Sequence, residues 1–382
     1  MGEELGALEA LGYAGYDPEP TTALEGLAAL SRASPDQGLL LLTDEHDAVI
    51  LIDRKGQVCW SLNVPQRSAV ELAEPLPDGR LATLSVDQGI DLFGAKQQHL
   101  GSWDLACHHD MAHTSQDKLL VLAHRESPYH GRRVRFDSII ELDLGDPSRA
   151  PRTVWDSLAA LDPLLALAGS SPLDLPPSTR GANPSAPGAS ASQKTYDRFH
   201  LNSIMVLPPS VLGAEDSRFA AGNLLLCFRN ASLLAILEPQ SGELVWSFGP
   251  LDLDFPHHPS LLANGRILAF DNGWHRGWSR LVEIDPGKPK GAQPRIAWTW
   301  QASTTEAFFS KTRGAVERLS AGHSLITDSE RGRLFELDRK GRLVWQWSRP
   351  LEADGRRRRI YRATRVGDNW ATKVLGKQLK SK

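Results

Sequence analysis

Residues 255–273 read FPHHPSLLANGRILAFDNG, with His257 and His258 just ahead of an apolar hairpin pattern. His257 stands eight residues before Gly265 of the NG turn, and in HHDMAHTSQDK His109 stands eight residues before Asp117, the matching turn position. A third histidine, His200, opens DRFHLNSIMVLPP; Asn202 follows two residues on and shares its face by strand alternation. Arg229 ends the next strand of the same stretch, LLLCFRN. Imidazoles exchange protons near neutral pH and can act as nucleophiles. A guanidinium and an amide beside them hold an anion. Three histidines also suit zinc, but no carboxylate is spaced to complete the set and Arg229 would repel a cation, so no metal is expected. A lone histidine is usually a satisfied polar residue; three at one structural level, with Arg and Asn nearby, point to a site. Alternation sends the neighbours His108 and His258 to the opposite side unless a bulge intervenes.

What must position these residues is a repeat. TDEHDAVILIDRKGQVCW (43–60) and TDSERGRLFELDRKGRLVW (327–345) share a polar turn, an alternating strand ending in Asp, a charged turn with Gly, and a strand ending in Trp. Such alternation around a tight turn is a hairpin signal. The theme recurs with ends at Trp103, Trp155, Trp246 and Trp300, making six copies of about four short strands each. That is the make-up of a propeller blade, so the fold class is all-β, a six-bladed β-propeller over 36–355. Each closing Trp is expected to pack between neighbouring sheets. The opening strand of each copy should be innermost, so His109, His200 and His257 converge on the central channel from adjacent blades.

Three segments break the pattern. Residues 1–35 carry ALEALGY and ALEGLAALSRA, expected as short helices. Residues 158–198, between blades 3 and 4, begin as a Leu/Ala helix and become a Pro/Ser/Gly tract, an insertion that is either a lid or a mobile connection. The basic segment 356–382 either stays solvated, meets an acidic surface, or returns to complete the ring.

Composition bounds the rest. Of 382 residues 41% are hydrophobic and 23% charged, ordinary for a globular chain, and the formal net charge of -3 argues against general nucleic-acid binding. No apolar run approaches a membrane span. Cys59, Cys107 and Cys227 are odd in number and lack metal-ligand spacing, which suits a reducing compartment. The acidic N-terminus lacks a basic n-region, so the chain as written reads as cytoplasmic; an upstream signal would make it periplasmic or membrane-associated.

FHLNSI followed by LLLCFRNASLLAILEPQSGELVWSFGP resembles the arylsulfotransferase family, as do HHPSLLANGRILAFDNG, HHDM and the last copy from Gly314 to Trp347. The likeness runs over roughly residues 38–350. It implies cofactor-independent transfer of a sulfuryl group from an aryl sulfate to a phenol through a histidine-bound intermediate. The nucleophile then falls on His257, with His200, Asn202 and Arg229 around the sulfate, and the earlier histidine on His109, or on His108 if the doublet is shifted. Pro256 replaces the family's Gln, which leaves His257 and His258 both open as nucleophile, and Phe228 stands where a small polar residue is common. The lack of a GxxxxGK[ST] loop argues against a nucleotide-sulfate donor. A non-catalytic propeller that binds a small anion or a partner is the competing reading.

Overall fold

Alternating apolar runs joined by Asn-Gly, Asp-Gly and Lys-Gly turns build antiparallel sheets, because each two-residue reversal lets a strand bury one face against the next blade. The computed structural model describes residues 38–376 apart from 44–47, 66, 115–116, 172, 175–194, 288–290 and 354. The expected helices of residues 1–35 and most of the Pro/Ser/Gly tract lie outside the described residues.

Six sheets form a six-bladed propeller. The inner strands of blades 2 to 6 are Val70–Pro75, Cys107–His113, Leu201–Val206, His257–Leu261 and Ala315–Arg318. Blade 1 is assembled from both ends of the described chain: Thr364–Arg365 pairs antiparallel with Leu40–Thr43, at Leu40↔Arg365 and Leu41↔Thr364. The basic segment therefore does not stay in solvent. Ile360, Tyr361, Ala363 and Val366 are buried, and helix α1 (Asp368–Leu375) buries Trp370 and Ala371 against Leu39, Leu41 and Val49.

The blade-ending tryptophans bridge blades. Trp246 Nε1 donates to Pro286 O at 3.0 Å, Trp300 Nε1 to Gly341 O at 2.9 Å and Trp345 Nε1 to Arg54 O at 2.8 Å, each in the outer turn of the following blade. Trp155 packs in one cluster with Phe199, Leu201 and Phe228 of blade 4. A large ring packed between twisted sheets suits this place, since its faces fill the wedge and, at Trp246, Trp300 and Trp345, its polar edge finds a carbonyl.

Blade 3 departs from the others in a way that matters for the site. Its second and third strands, Lys118–Tyr129 and Arg132–Asp143, are twelve residues each and rise as a hairpin beyond the sheet. The insertion begins, as its Leu/Ala pattern suggests, with a helix, α2 (Leu161–Ala168), closed by Gly169 in the left-handed region. The chain then returns as the short strand Thr195–Asp197, parallel to Arg133–Arg135, and delivers Asp197, Arg198 and Phe199 directly ahead of His200.

Trp370→Ala is expected to destabilise the fold by about 3–5 kcal/mol, the usual loss for a buried Trp cut to Ala, because it removes the hydrogen bond from Nε1 to Arg80 O (2.9 Å) and the edge contact with Trp60. Denaturant unfolding of the variant beside the parent measures this, and an unchanged midpoint would show that the closing helix adds nothing.

Candidate functional site

The inner strands of blades 2 to 5 do not complete their ladders. The pairing register slips between Val70 and Leu72, Cys107 and Met111, Leu201 and Ser203, and His257 and Ser260. Left-handed residues mark these bulges: Ala69, His109, His200 and His258 have φ of 54°, 60°, 57° and 48°. Backbone N–H groups released there are taken up by side chains of the preceding blade. His109 N donates to Glu71 Oε2 (3.0 Å), Ile204 N to Asp110 Oδ2 (3.0 Å) and His258 N to Ser203 Oγ (2.9 Å). Each bulge breaks the strict alternation of side chains along its strand.

Hairpin closure fixes the level of each residue. The bonds Leu76 N→Arg80 O, Thr114 N→Lys118 O, Leu207 N→Asn223 O, Leu262 N→Arg266 O and Leu319 N→His323 O are equivalent. Five residues before each closing amide stand Glu71, His109, Asn202, His257 and Gly314. The histidine level is thus held in blade 4 by Asn202, with His200 two residues upstream. In blade 6 it is held by Gly314, where φ is +92° and a Cβ would meet the Phe270 ring at 2.8 Å.

His257, 4% exposed, places Nδ1 at 2.7 Å from Asn272 Oδ1 and 3.3 Å from Phe255 O. Asn272 Nδ2 donates to Ser310 O (2.8 Å) and Arg313 O (2.6 Å). Those two carbonyls fix which end of the amide faces the histidine, so Oδ1 accepts and Nδ1 of His257 carries the proton. The lone pair then sits on Nε2. Burial, then the positive charge of Arg229, holds His257 well below the ordinary imidazole range, against the opposing hydrogen bond from Asn272. It is a neutral imidazole at physiological pH.

His109 and His200 meet edge to edge, Nε2 to Nε2 at 2.8 Å. Asp197 Oδ2 lies 2.5 Å from His200 Nδ1. The Tyr361 hydroxyl donates to His109 O at 2.7 Å, so its oxygen accepts from His109 Nδ1 at 3.1 Å. With Nδ1 of each ring turned to an oxygen, the two Nε2 atoms can share one proton. Asp197 Oδ2 and Glu71 Oε2, the latter 3.7 Å from His109 Nδ1, lie on the far side of the rings.

Arg229 begins the turn after the second strand of blade 4, and its backbone N–H is bonded to His200 O (3.0 Å). Its guanidinium, in a residue only 5% exposed, lies 4.7 Å from the centre of the Phe255 ring and 5.1 Å from that of Trp274, which are themselves stacked. Asn202 gives one Nδ2 proton to Pro256 O (2.9 Å) and accepts the Ser203 hydroxyl on Oδ1 (3.1 Å), leaving its second amide proton. A narrow axial cavity is lined by Asn202, Ser203, His257, His258, Tyr361 and Arg362, among others.

Of the residues singled out from sequence, His109, His200, Asn202, Arg229 and His257 gather around one axial region. His108 stays beside His109, with rings 5.2 Å apart, but faces Asp137 (3.4 Å) and His124. His258 is bound through Nδ1 to Val316 O (3.1 Å) and is pushed down to about 3 by burial and then Arg362. Each doublet straddles a register slip, the exception under which alternation does not decide the side of its members. Sequence reasoning missed Asp197, Asn272 and Tyr361. Asn272 lies in the conspicuous FDNG and could have been found there; Tyr361 sits 252 residues from its partner in the tail.

Replacing Asn272 with Ala should release the proton position on His257. Nitrogen NMR of the ring at pH 6 is expected to show a neutral Nδ1–H tautomer in the parent and a mixture of tautomers in Asn272→Ala. A protonated ring in the parent would contradict the geometry.

No curated protein matches this sequence. Similar solved structures include a protein of unknown function from Bacteroides caccae, at 14% identity and TM-score 0.48, covering 81% of this chain and 93% of that one. The beta-propeller domain of Cps50 (Swd1) from Myceliophteria thermophila matches at 10% identity and TM-score 0.47, covering 85% and 87%. A streptogramin B lyase matches at 9% identity and TM-score 0.49, covering 88% and 96%. Two family models, both described as Arylsulfotransferase (ASST), match residues 17–255 and 172–349. The first spans more than half of the chain and the second carries the match through blade 6, and on that ground the protein belongs to the arylsulfotransferase family.

Proposed function

We propose that the protein moves a sulfuryl group from an aryl sulfate to a phenol in two steps, with His257 as the transient carrier. The observation that carries this reading is the fixed tautomer of His257: a neutral ring whose Nδ1 proton is held by Asn272 and whose Nε2 keeps its lone pair beside Arg229. The choice between the two adjacent histidines falls on His257, because His258 uses Nδ1 on a backbone carbonyl and its guanidinium neighbour, Arg362, is already bonded to Asp110.

In the first step Nε2 of His257 attacks sulfur. The N–S bond forms, the S–O bond to the ring breaks, and its electron pair leaves on the aryl oxygen. The proton shared by His109 and His200 neutralises that phenolate, and the phenol departs. In the second step the acceptor phenol returns a proton to the pair, its oxygen attacks sulfur, and the N–S electrons go back to Nε2. Arg229 and the second Nδ2 proton of Asn202 hold the sulfuryl oxygens as charge redistributes, the kind of preorganised electrostatics that supplies much of such catalysis. Asp197 and Tyr361 are positioning residues: each fixes a proton on the far nitrogen of a ring, so that the shared proton points at the reacting oxygen.

Incubation with an aryl sulfate and a phenol is expected to release the donor phenol and form a new sulfate ester. His257→Ala should lower the exchange on the order of 10³-fold or more, the range seen when a nucleophile is removed, and mass spectrometry of the parent treated with donor alone should find SO₃ added at His257. Full activity in that variant overturns the assignment, and sulfate-ester binding without exchange leaves an anion-binding propeller. Tyr361→Phe, which removes the acceptor for His109 Nδ1–H, should lower kcat about 10-fold, less than the 10²–10⁴ of a lost general acid. It should leave KM nearly unchanged and move the alkaline limb of the donor step to lower pH, because the cationic pair has lost a stabilising oxygen. A pH profile identical to the parent's would remove Tyr361 from the mechanism.

A further inference from the structure

A cleft of ≈650 Å³ opens between blades 3, 4 and 5. Its floor is made by the chain neighbours of the site. Phe199 precedes His200, Asn230 follows Arg229, and Phe255 lies two residues before His257. The Phe255 ring is the same one that carries the Arg229 guanidinium. A flat molecule in this cleft would therefore present one end to the site and rest its face near an aromatic wall.

The charges in the cleft are unevenly committed. Asp254 accepts from His275 N, Arg276 N and His275 Nδ1, all at 2.9 Å. Asp174 accepts from Ser171 N at 2.7 Å and lies in solvent. Arg198 is only 4% exposed. Its Nη2 donates to Ser170 Oγ (3.1 Å) and to Ser171 O, while its Nη1 is buried and has no hydrogen-bond partner. A guanidinium nitrogen shut away from water without an acceptor is a costly arrangement, and Asp174 is too exposed to compensate for it. Because Nη2 is already used, the fork cannot grip a planar carboxylate with both arms.

We propose that this cleft is the acceptor subsite, and that it selects phenols carrying a second, anionic substituent such as a ring carboxylate or sulfonate, with Arg198 as the specificity-determining residue. This rests on the sulfuryl-transfer reading of the adjoining site. The phenolic hydroxyl faces His257 and the His109–His200 pair, the ring lies along Phe255, and the anionic group meets Nη1. A neutral phenol fits the same space but leaves Nη1 unpaired.

The test compares 4-hydroxybenzoate with its neutral counterpart 4-hydroxybenzamide, first as ligands by calorimetric titration and then as acceptors in exchange. The parent is expected to bind 4-hydroxybenzoate at least about 10-fold more tightly, the discrimination of one charged contact, and to show the same ratio in kcat/KM. In Arg198→Gln the ratio should collapse toward one, and in Arg198→Lys, which keeps the charge, most of it should return. Circular dichroism and the unfolding midpoint establish that the variants are folded; should Arg198→Gln fail to fold, the parent's ratio and the Arg198→Lys ratio decide. A parent that does not prefer the anion, or a preference that survives Arg198→Gln, overturns the proposal. An anion preference lost in Arg198→Gln, without any exchange in the parent, upholds the cleft and defeats the transfer reading. Exchange that is indifferent to the anion does the reverse.

Discussion

Every feature of the site depends on inner strands that leave their own ladders unfinished. A bulge on an innermost strand puts a non-glycine residue in the left-handed region and strands a backbone N–H in a place water does not reach. Both are unfavourable. The cost is offset by the preceding blade, whose side chain accepts the stranded proton: Glu71 for His109, Asp110 for Ile204, Ser203 for His258. Neighbouring blades are thereby locked at the level where the histidines emerge, and ring positions are set by main-chain bonds rather than by side-chain packing. A regular strand would send alternate residues into the blade and leave each one a single side chain at the axis.

The electrostatic design follows from burial. Three imidazoles, two arginines and several carboxylates are buried close together, and their environments push them apart. His257 is held toward the neutral form by desolvation and by Arg229. The His109–His200 pair has Asp197 and Glu71 facing it, charges that favour a proton held between the rings. Further along the axis Arg362 is bonded to Asp110 at 2.8 Å, and burial pushes Glu74 up to about 7 despite Arg362, with Asp110 and Glu317 adding to the rise. Neighbouring groups held in opposite protonation states are what acid–base assignments rest on.

Much of this was legible in the chain. Period-two strands, Gly turns and closing Trp residues give the blade without any tertiary knowledge, since each hairpin is local. The level of His109 and His257 was countable because their hairpins have short, similar loops. Blade 4 hid its level behind the 208–222 excursion, and there Asn202 rather than His200 proves equivalent to His257. Asp197 was obscured by the insertion that separates it from blade 3, although it lies three residues before His200. Bulges cannot be read from alternation, because the pattern they interrupt is the signal being used; that is why the side taken by His108 and His258 was left to depend on one.

Tyr361 was invisible for a different reason, and it links fold to chemistry. Its partner His109 is 252 residues away, in a blade already complete without it. The chain returns there only because Thr364–Arg365 must supply the missing inner strand of blade 1 and Trp370 must cover the apolar face beside Leu41. The turn that carries the chain from blade 6 to that strand passes across the axis and drops the Tyr361 hydroxyl onto His109. Ring closure and completion of the proton-bearing pair are thus one event in space. A propeller that has formed blades 2 to 6 but not docked residues 360–365 lacks both the inner strand of blade 1 and the hydroxyl beside His109, so one segment completes the ring and the histidine pair.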